Sequence, residues 1–206
     1  MKKILLVAAV TVVMTVPLFA EKITLVQGTY LNTSRTYTGY NRYTGYDGDV
    51  QYNFGQVGLN FTNFNGQGQG LGFYSCGTFL IPMSNTVTND DYPSGYSNFF
   101  RTVGISLDAL LGLGFLIPLV PSFSLLGGAG LHFNGITYIS DISLACNFGV
   151  GGALNAILQL TKSLNVNVSG MVAWDMLEFI SRGHFDLATK KGGLTWAVSI
   201  GMGYNY

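Results

Sequence analysis

Apolar and polar residues alternate along most of the second half of the chain. From Phe99 to Ile117 the odd positions are mostly large and apolar, while the even positions include Thr, Ser, Asp and several Gly. The same period of two runs through residues 123–133, 142–160, 164–176 and 194–206. Because successive side chains of a β-strand point to opposite faces, this period predicts five strands.

The alternation is less regular before residue 99. Three segments there are predicted strands: 23–31, 50–64 and 70–82. The phase of the second slips at Gly55 and Gln56, and a β-bulge explains such a slip. The predicted total is then eight strands.

The links between the eight predicted strands alternate in length. The odd-numbered links are long and polar: 32–49, 83–98, 134–141 and 181–193. The even-numbered links are short: 65–69, 118–122 and 161–163. Bacterial outer-membrane barrels have an even number of strands, long outer loops and short periplasmic turns. We therefore predict an all-β fold, an eight-stranded antiparallel up-and-down transmembrane β-barrel.

The composition favours strands over helices. The chain is 48% hydrophobic and only 10% charged, yet it contains 28 glycines, and a glycine costs a helix up to about 1 kcal/mol relative to alanine. Two alternatives stay open. One is a bundle of transmembrane helices over 107–131 and 142–160, although the first contains Pro118 and Pro121. The other is a soluble β-sandwich with unusually apolar strands.

The first twenty residues have the order of a secretory signal peptide. Lys2 and Lys3 precede an apolar run, and the small residue Ala20 ends the segment. We expect residues 1–20 to be removed and residues 21–206 to form the barrel. An uncleaved membrane anchor is the alternative, but the apolar run is short for one. Without Lys2 and Lys3 the chain has eight Lys and Arg residues and ten Asp and Glu residues. Its net charge is therefore close to zero, and nothing indicates nucleic-acid binding.

The last predicted strand has a row of apolar side chains that ends on an aromatic residue. The row consists of Val198, Ile200, Met202, Tyr204 and Tyr206. Here the chain resembles the small eight-stranded outer-membrane barrels, of the OmpX and OmpW type or like the transmembrane barrel of OmpA. The resemblance implies a place in the cell outer membrane, contact with its lipids, and an assembly signal in this row that the barrel assembly machinery reads. For OmpX-like and OmpW-like barrels it implies surface adhesion or passage of small hydrophobic molecules.

Three titratable residues lie on the predicted lumenal face: Asp108, His132 and Asp175. If the turn 118–122 is symmetric, Asp108 lies directly opposite His132, with Cβ atoms roughly 5 Å apart. A turn centred on Lys162 likewise places Asp175 opposite Gly149. We predict that Asp108 and His132 form an inward polar pair. A role in filling the lumen and a role in proton relay or transport both stay open.

Other candidate chemistry is weak. Cys76 and Cys146 lie three strands apart, too far for a disulfide, so we expect two free thiols, with Cys146 facing lipid. Ser181, His184 and Asp186 are the residue types of a catalytic triad, but nearness along a loop does not align them. No spacing fits a zinc site or a phosphate-binding loop. We therefore expect no catalytic residue, no metal and no cofactor.

The first long link contains a hexapeptide written twice, YTGYNR followed by YTGYDG. It places a tyrosine at every third position: Tyr37, Tyr40, Tyr43 and Tyr46. A long link of an outer-membrane barrel faces the outside of the cell. These rings are then expected either to pack on the barrel rim or to bind an extracellular ligand.

Two functions fit these patterns, and a third has less support. The first is a structural or surface-interaction barrel. The second is a narrow conduit or binding barrel for a small, hydrophobic molecule, supported by small lumenal residues and a lack of large plugging side chains. The third is an outer-membrane enzyme.

Overall fold

The computed structural model describes residues 22–41, 46–66, 70–89, 92–97, 104–138, 143–181, 185–186 and 190–205. The predicted signal peptide lies outside these residues. Within them, the chain forms ten strands: β1 Lys22–Asn41, β2 Tyr46–Gly66, β3 Leu71–Asn89, β4 Tyr92–Ser97, β5 Gly104–Val120, β6 Phe123–Tyr138, β7 Ser143–Gln159, β8 Leu164–Ser181, β9 Phe185–Asp186 and β10 Lys190–Asn205. Strands β4 and β9 are short additions that pair with β3 and β8.

The eight long strands close into an antiparallel barrel. Each pairs with the next long strand along the chain, and β10 pairs with β1 to complete the circle. The predicted eight-stranded up-and-down barrel is therefore confirmed. The helix-bundle and sandwich alternatives are wrong, because the described residues of 107–131 and 142–160 lie in β5, β6 and β7 and in the turns next to them. In the part of the chain that the structure describes, no helix is long and apolar enough to cross a membrane.

The short connections lie where the sequence predicts them, at one end of the barrel. They join β2 to β3, β5 to β6 and β7 to β8. In the last of these turns the Thr161 hydroxyl oxygen accepts a hydrogen bond from the Leu164 amide at 3.0 Å. This bond stabilises the turn around Lys162, and the turn sets the register between β7 and β8, the two strands that it joins.

The strands extend further than predicted at the other end. Residues 32–41 were expected in a loop, but they continue β1 and pair with β2 as far as Asn41 opposite Tyr46. They also pair with β10 as far as Tyr37 opposite Lys190. Backbone pairing on both sides keeps this polar segment extended. The predicted link 32–49 is therefore mostly a β-hairpin, with residues 42–45 outside the described part.

The outward-facing side chains form an apolar belt. Large hydrophobic residues with 45–71% of their surface exposed include Val26, Leu59, Phe61, Phe79, Leu113, Phe115, Leu131, Val150, Leu154, Val172, Trp174, Val198, Ile200 and Met202. Such a continuous apolar surface is not stable in water, but it suits the hydrocarbon core of a bilayer. The barrel therefore spans a membrane.

Aromatic side chains group together on the outer wall. The rings of Tyr30 and Trp196 lie 5.6 Å apart, and those of Phe133 and Phe148 lie 5.1 Å apart. Aromatic residues are enriched at the membrane interfaces of transmembrane barrels. A spanning strand needs about 9–11 residues, whereas β1 and β2 have 20 and 21. Parts of the barrel wall thus extend beyond the bilayer.

The predicted bulge lies at the expected place but in a different strand. The register between β2 and β3 shifts between Gly55 and Gln56, because β3 contributes the extra residue Met83. Strand β2 keeps its alternation, with Phe54 and Gln56 both buried. The apparent phase slip arises because Phe54 is a large apolar residue inside the barrel.

Candidate functional site in the barrel lumen

Large side chains fill the lumen. Those with almost no exposed surface are Arg35, Tyr74, Phe64, Leu25, Leu31, Leu80, Leu110, Leu126, Ile136, His132, Gln27 and Gln56. The expectation that the lumen lacks large plugging side chains is therefore wrong. Most of these residues lie on β1, β2 and β3, the strands whose inward face the sequence pattern leaves undefined.

His132 lies between two carboxylates at the centre of the lumenal polar residues. Its Nε2 lies 2.8 Å from Asp108 Oδ2, and its Nδ1 lies 2.6 Å from Asp175 Oδ1. The side chains of all three residues are fully buried. A carboxylate only accepts hydrogen bonds, so both contacts are satisfied when both ring nitrogens donate. His132 then acts as a buried imidazolium bridging two anions.

The strand register brings His132 to Asp175 across a glycine. His132 on β6 pairs with Gly149 on β7, and Gly149 pairs with Asp175 on β8. The pairing of Asp175 with Gly149 is the one that the turn around Lys162 predicts. Because Gly149 has no side chain, the imidazole of His132 has room to cross β7 and reach the carboxylate two strands away.

The predicted direct opposition of Asp108 and His132 is wrong. Asp108 pairs with Asn134, and His132 pairs with Leu110. The turn contains only Pro121 and Ser122, since Val120 already pairs with Phe123, and is therefore not centred on Val120; with Leu119 skipped by a bulge, the register differs from the predicted one by two residues. The two side chains meet diagonally instead, since neighbours offset by two residues on adjacent strands remain within reach of long side chains.

Asn134 links the site to a second cation, Arg35. Asn134 Nδ2 donates to Asp108 Oδ2 at 3.1 Å, and Arg35 Nη2 donates to Asn134 Oδ1 at 2.9 Å. The Arg35 guanidinium lies 5.5 Å from the centre of the Phe54 ring, a cation–π contact. Arg35, His132, Asp108 and Asp175, which we call the lumenal ion cluster, thus balance two positive against two negative charges.

Arg35 is a site residue that sequence reasoning missed. It falls within the predicted link 32–49 and was therefore assigned to a loop. Leu31, Thr33 and Arg35 continue the odd-numbered inward face of β1 and all three are buried, but residues 32–36 are polar at odd and even positions alike, so apolar periodicity gives no signal for them. Thr33 also contacts the Thr195 hydroxyl at 3.4 Å, and Thr195 lies 3.0 Å from Asp175 Oδ2.

A ladder of amide side chains lines the lumen toward the short-turn end. Gln27 Nε2 donates to Asn167 Oδ1 at 2.6 Å, Asn167 donates to Asn165 at 3.4 Å, and Asn165 donates to Asn205 at 2.8 Å. Gln27 also donates to Ser169 at 3.0 Å. These bonds tie β1, β8 and β10 together and satisfy polar groups that face away from water.

The other predicted chemical residues do not join this site. Cys76 and Cys146 are free thiols, as predicted. Asn60 Nδ2 contacts the buried Cys76 sulfur at 2.8 Å, while Cys146 is half-buried on the outward face of β7. Ser181 lies in β8 and Asp186 in β9, but His184 lies outside the described residues. Across the described ranges, no group of three or more His, Cys, Asp or Glu residues could hold a metal ion.

The surface and C-terminal residues are distributed as follows. Tyr37 and Tyr40 belong to β1 and Tyr46 to β2, while Tyr43 lies outside the described part. In the C-terminal row, exposed side chains face away from the lumen at Val198, Ile200, Met202 and Tyr204. Tyr206 lies beyond the last described residue. Their role as an assembly signal stays a prediction.

Comparisons with known proteins support the fold. No protein-family model matches the chain, and no curated protein matches it. Among solved structures, the chain is similar to the outer membrane protein OprG from Pseudomonas aeruginosa, with a TM-score of 0.60, 12% identity, and coverage of 91% of this chain and 96% of OprG. It is also similar to the outer membrane protein AlkL determined in lipid bilayers, with a TM-score of 0.59, 11% identity, and coverage of 91% and 90%.

At these identities the likeness concerns architecture. OprG and AlkL are outer-membrane proteins, and the chain has the same barrel fold. The fold and the apolar belt agree, because a closed barrel with a lipid-facing exterior and a polar lumen is the form that crosses an outer membrane. The chain is an outer-membrane β-barrel.

Proposed function

We propose that the protein is a sealed outer-membrane barrel that anchors a surface-exposed hairpin, with a structural or surface-interaction role. The packed lumen carries this proposal. Leu110, His132 and Arg35 come from three different strands, and each has 2% or less of its surface exposed. An eight-stranded barrel has an interior that side chains can fill completely. Here large side chains occupy it.

A conduit through the lumen is less well supported. Passage along the axis requires the lumenal ion cluster to open, although His132 contacts Asp175 at 2.6 Å and Asp108 at 2.8 Å. Separating a buried imidazolium from its carboxylates is strongly unfavourable. We therefore propose no flow through the barrel and assign no reaction to it.

Purified protein in planar lipid bilayers is expected to show no single-channel conductance, because packed side chains block the lumen. The measurement is the current across the bilayer at low and high applied voltage, with a large outer-membrane porin in the same lipid as a positive control. Reproducible conductance steps that depend on the amount of barrel added would contradict the sealed lumen. Insertion of the barrel is checked separately by protease protection of the reconstituted protein.

The hairpin formed by the outer parts of β1 and β2 is the proposed surface element. Its backbone pairing continues to Asn41 opposite Tyr46, past the last described pairs with β10 at Tyr37 and with β3 at Val50. The hairpin therefore extends beyond the described pairs that β1 and β2 make with their other neighbours. Tyrosine supplies a large contact area at low entropy cost, so a projecting Tyr-rich hairpin suits recognition of an extracellular ligand.

Replacing Tyr40 and Tyr43 with serine is expected to lower adhesion of barrel-bearing cells to immobilised matrix proteins several-fold. The thermal unfolding midpoint is expected to stay within about 2 °C of the wild type, because Tyr40 lies past Tyr37, the last described residue of β1 that pairs with β10. Adhesion counts and heat-dependent gel mobility measure the two effects, with Tyr30→Ser on the lipid-facing wall as a control for adhesion. A marked fall in the midpoint together with unchanged adhesion assigns the tyrosines to packing on the rim instead.

A further inference from the structure

Three buried side chains on the lumenal face have polar atoms without a hydrogen-bond partner among the described residues. The atoms are Gln56 Oε1 and Nε2, Ser106 Oγ and Asp108 Oδ1. These residues expose 0%, 0% and 2% of their surface. A buried polar group left unsatisfied costs about 1–3 kcal/mol, and a charged one costs more. Four such atoms together indicate that something else bonds to them.

The strand pairing places these atoms in one sector of the lumen. Gln56 on β2 pairs with Pro82 of β3, and Ser106 on β5 pairs with Leu80 of the same strand. Asp108 follows Ser106 at the next inward position of β5. The three side chains therefore face the interior around one short stretch of β3, next to the lumenal ion cluster.

We propose that this sector, which we call the Gln56 pocket, holds one or two ordered water molecules. The Gln56 amide offers two N–H donors and an oxygen acceptor. The Ser106 hydroxyl can both donate and accept, and Asp108 Oδ1 accepts. A buried water makes about three hydrogen bonds of mixed direction, so one or two waters satisfy four such atoms. The charges of Arg35 and His132 already balance those of Asp108 and Asp175, which leaves no excess negative charge to hold a cation.

The bound water hydrates the ion cluster inside a barrel that passes no solute. Asp108 Oδ2 is bonded to His132 and Asn134, and water on Oδ1 solvates the second oxygen of the same carboxylate. This inference is separate from the sealed-lumen proposal, because conductance tests continuous flow and not local hydration.

Nuclear magnetic resonance of the isotope-labelled barrel in lipid nanodiscs tests the pocket directly. The Gln56 side-chain amide and the Ser106 backbone amide are expected to show cross-relaxation with long-lived water. The side-chain amide of Asn60 is the control, because it is equally buried but donates to Thr78 and Cys76 at 2.8 Å. Absence of water contacts at both Gln56 and Ser106 overturns the proposal.

A stability measurement gives a second, independent test. In a dry pocket, replacing Gln56 by leucine and Ser106 by alanine removes unsatisfied groups and raises the urea midpoint of unfolding. In a hydrated pocket the double variant loses the anchors of the water and the midpoint falls, which is the expected result. Gln51→Leu, the same change at an exposed position of β2, is the control. An unchanged or higher midpoint in the double variant overturns the proposal.

A change of the salt cation tests whether the Gln56 pocket holds water or a bound cation. Replacing sodium by N-methylglucamine at constant ionic strength is expected to leave the midpoints of the wild type and the double variant unchanged. A sodium-dependent stabilisation seen in the wild type and lost in the double variant overturns water in favour of a bound cation.

Discussion

Replacing Gly130 by alanine is expected to destabilise the barrel by about 3 kcal/mol or more, because overpacking against backbone cannot be relieved by a side-chain rotation. Gly130 on β6 pairs with Gly112 on β5. An alanine Cβ at position 130 lies 2.1 Å from the Leu111 carbonyl oxygen and 2.6 Å from the Gly112 Cα. The two strands must separate to accept it, which breaks their ladder at this point.

Gly127→Ala is the matched control on the same strand. Its Cβ points outward, and the nearest atom, the Phe115 carbonyl oxygen, lies 3.9 Å away. This variant is expected to stay within about 0.5 kcal/mol of the wild type, as substitutions without a steric cause do. The measurement is reversible urea unfolding from lipid vesicles, followed by tryptophan fluorescence. Equal midpoints for the two variants would show that the close approach of β5 and β6 does not limit this site.

Replacing His132 by leucine is expected to cost about 3–5 kcal/mol, the usual effect of removing one partner from a buried ion pair. The variant leaves Asp108 and Asp175 facing each other without the cation between them. Two buried carboxylates repel each other in that arrangement, because no cation lies between them. The free energy of unfolding from vesicles measures the loss.

A second set of variants separates charge from shape. In the His132→Leu background, adding Asp108→Asn and Asp175→Asn is expected to recover at least half of the lost stability, since it removes the uncompensated charge. In the wild-type background, the same two asparagine substitutions are expected to destabilise the barrel. Additive costs in all combinations would mean that the three residues do not act as a unit.

The architecture was largely accessible from the sequence because each strand has two unlike faces. Strand β10 is the clearest case, since its even positions are bulky and its odd positions small from Leu194 onward. The short turns alternate with long links, and this alternation indicated an up-and-down barrel. The outer ends of the strands were not accessible, because 32–41 is polar on both faces and periodicity gives no signal there. Pairing with β2 and β10 keeps that segment extended, and pairing is a tertiary property.

Only part of the lumenal site could be predicted from the sequence. The predicted pairings are correct where the geometry of the turn was predicted correctly. A regular turn around Lys162 allowed the correct pairing of Asp175 with Gly149. The turn between β5 and β6 is centred on Pro121 and Ser122 and not on Val120, so Asp108 pairs with Asn134, although its side chain still meets that of His132. Arg35 could not be placed because the end of β1 was not recognised. The sequence pattern therefore identifies inward residues well, but it does not determine which of them touch.

The seam between β1 and β10 has a kinetic consequence. The Thr29 hydroxyl donates to Ser199 Oγ at 2.7 Å across this seam, over a separation of 170 residues along the chain. Gln27 reaches Asn167 from the same strand, 140 residues away. Contacts this distant in sequence form late, since the chain loses much entropy before they can form. Until β10 pairs with β1, the lumenal polar side chains of β1 lack their partners on β8 and β10. The unclosed sheet therefore needs protection from lipid during assembly.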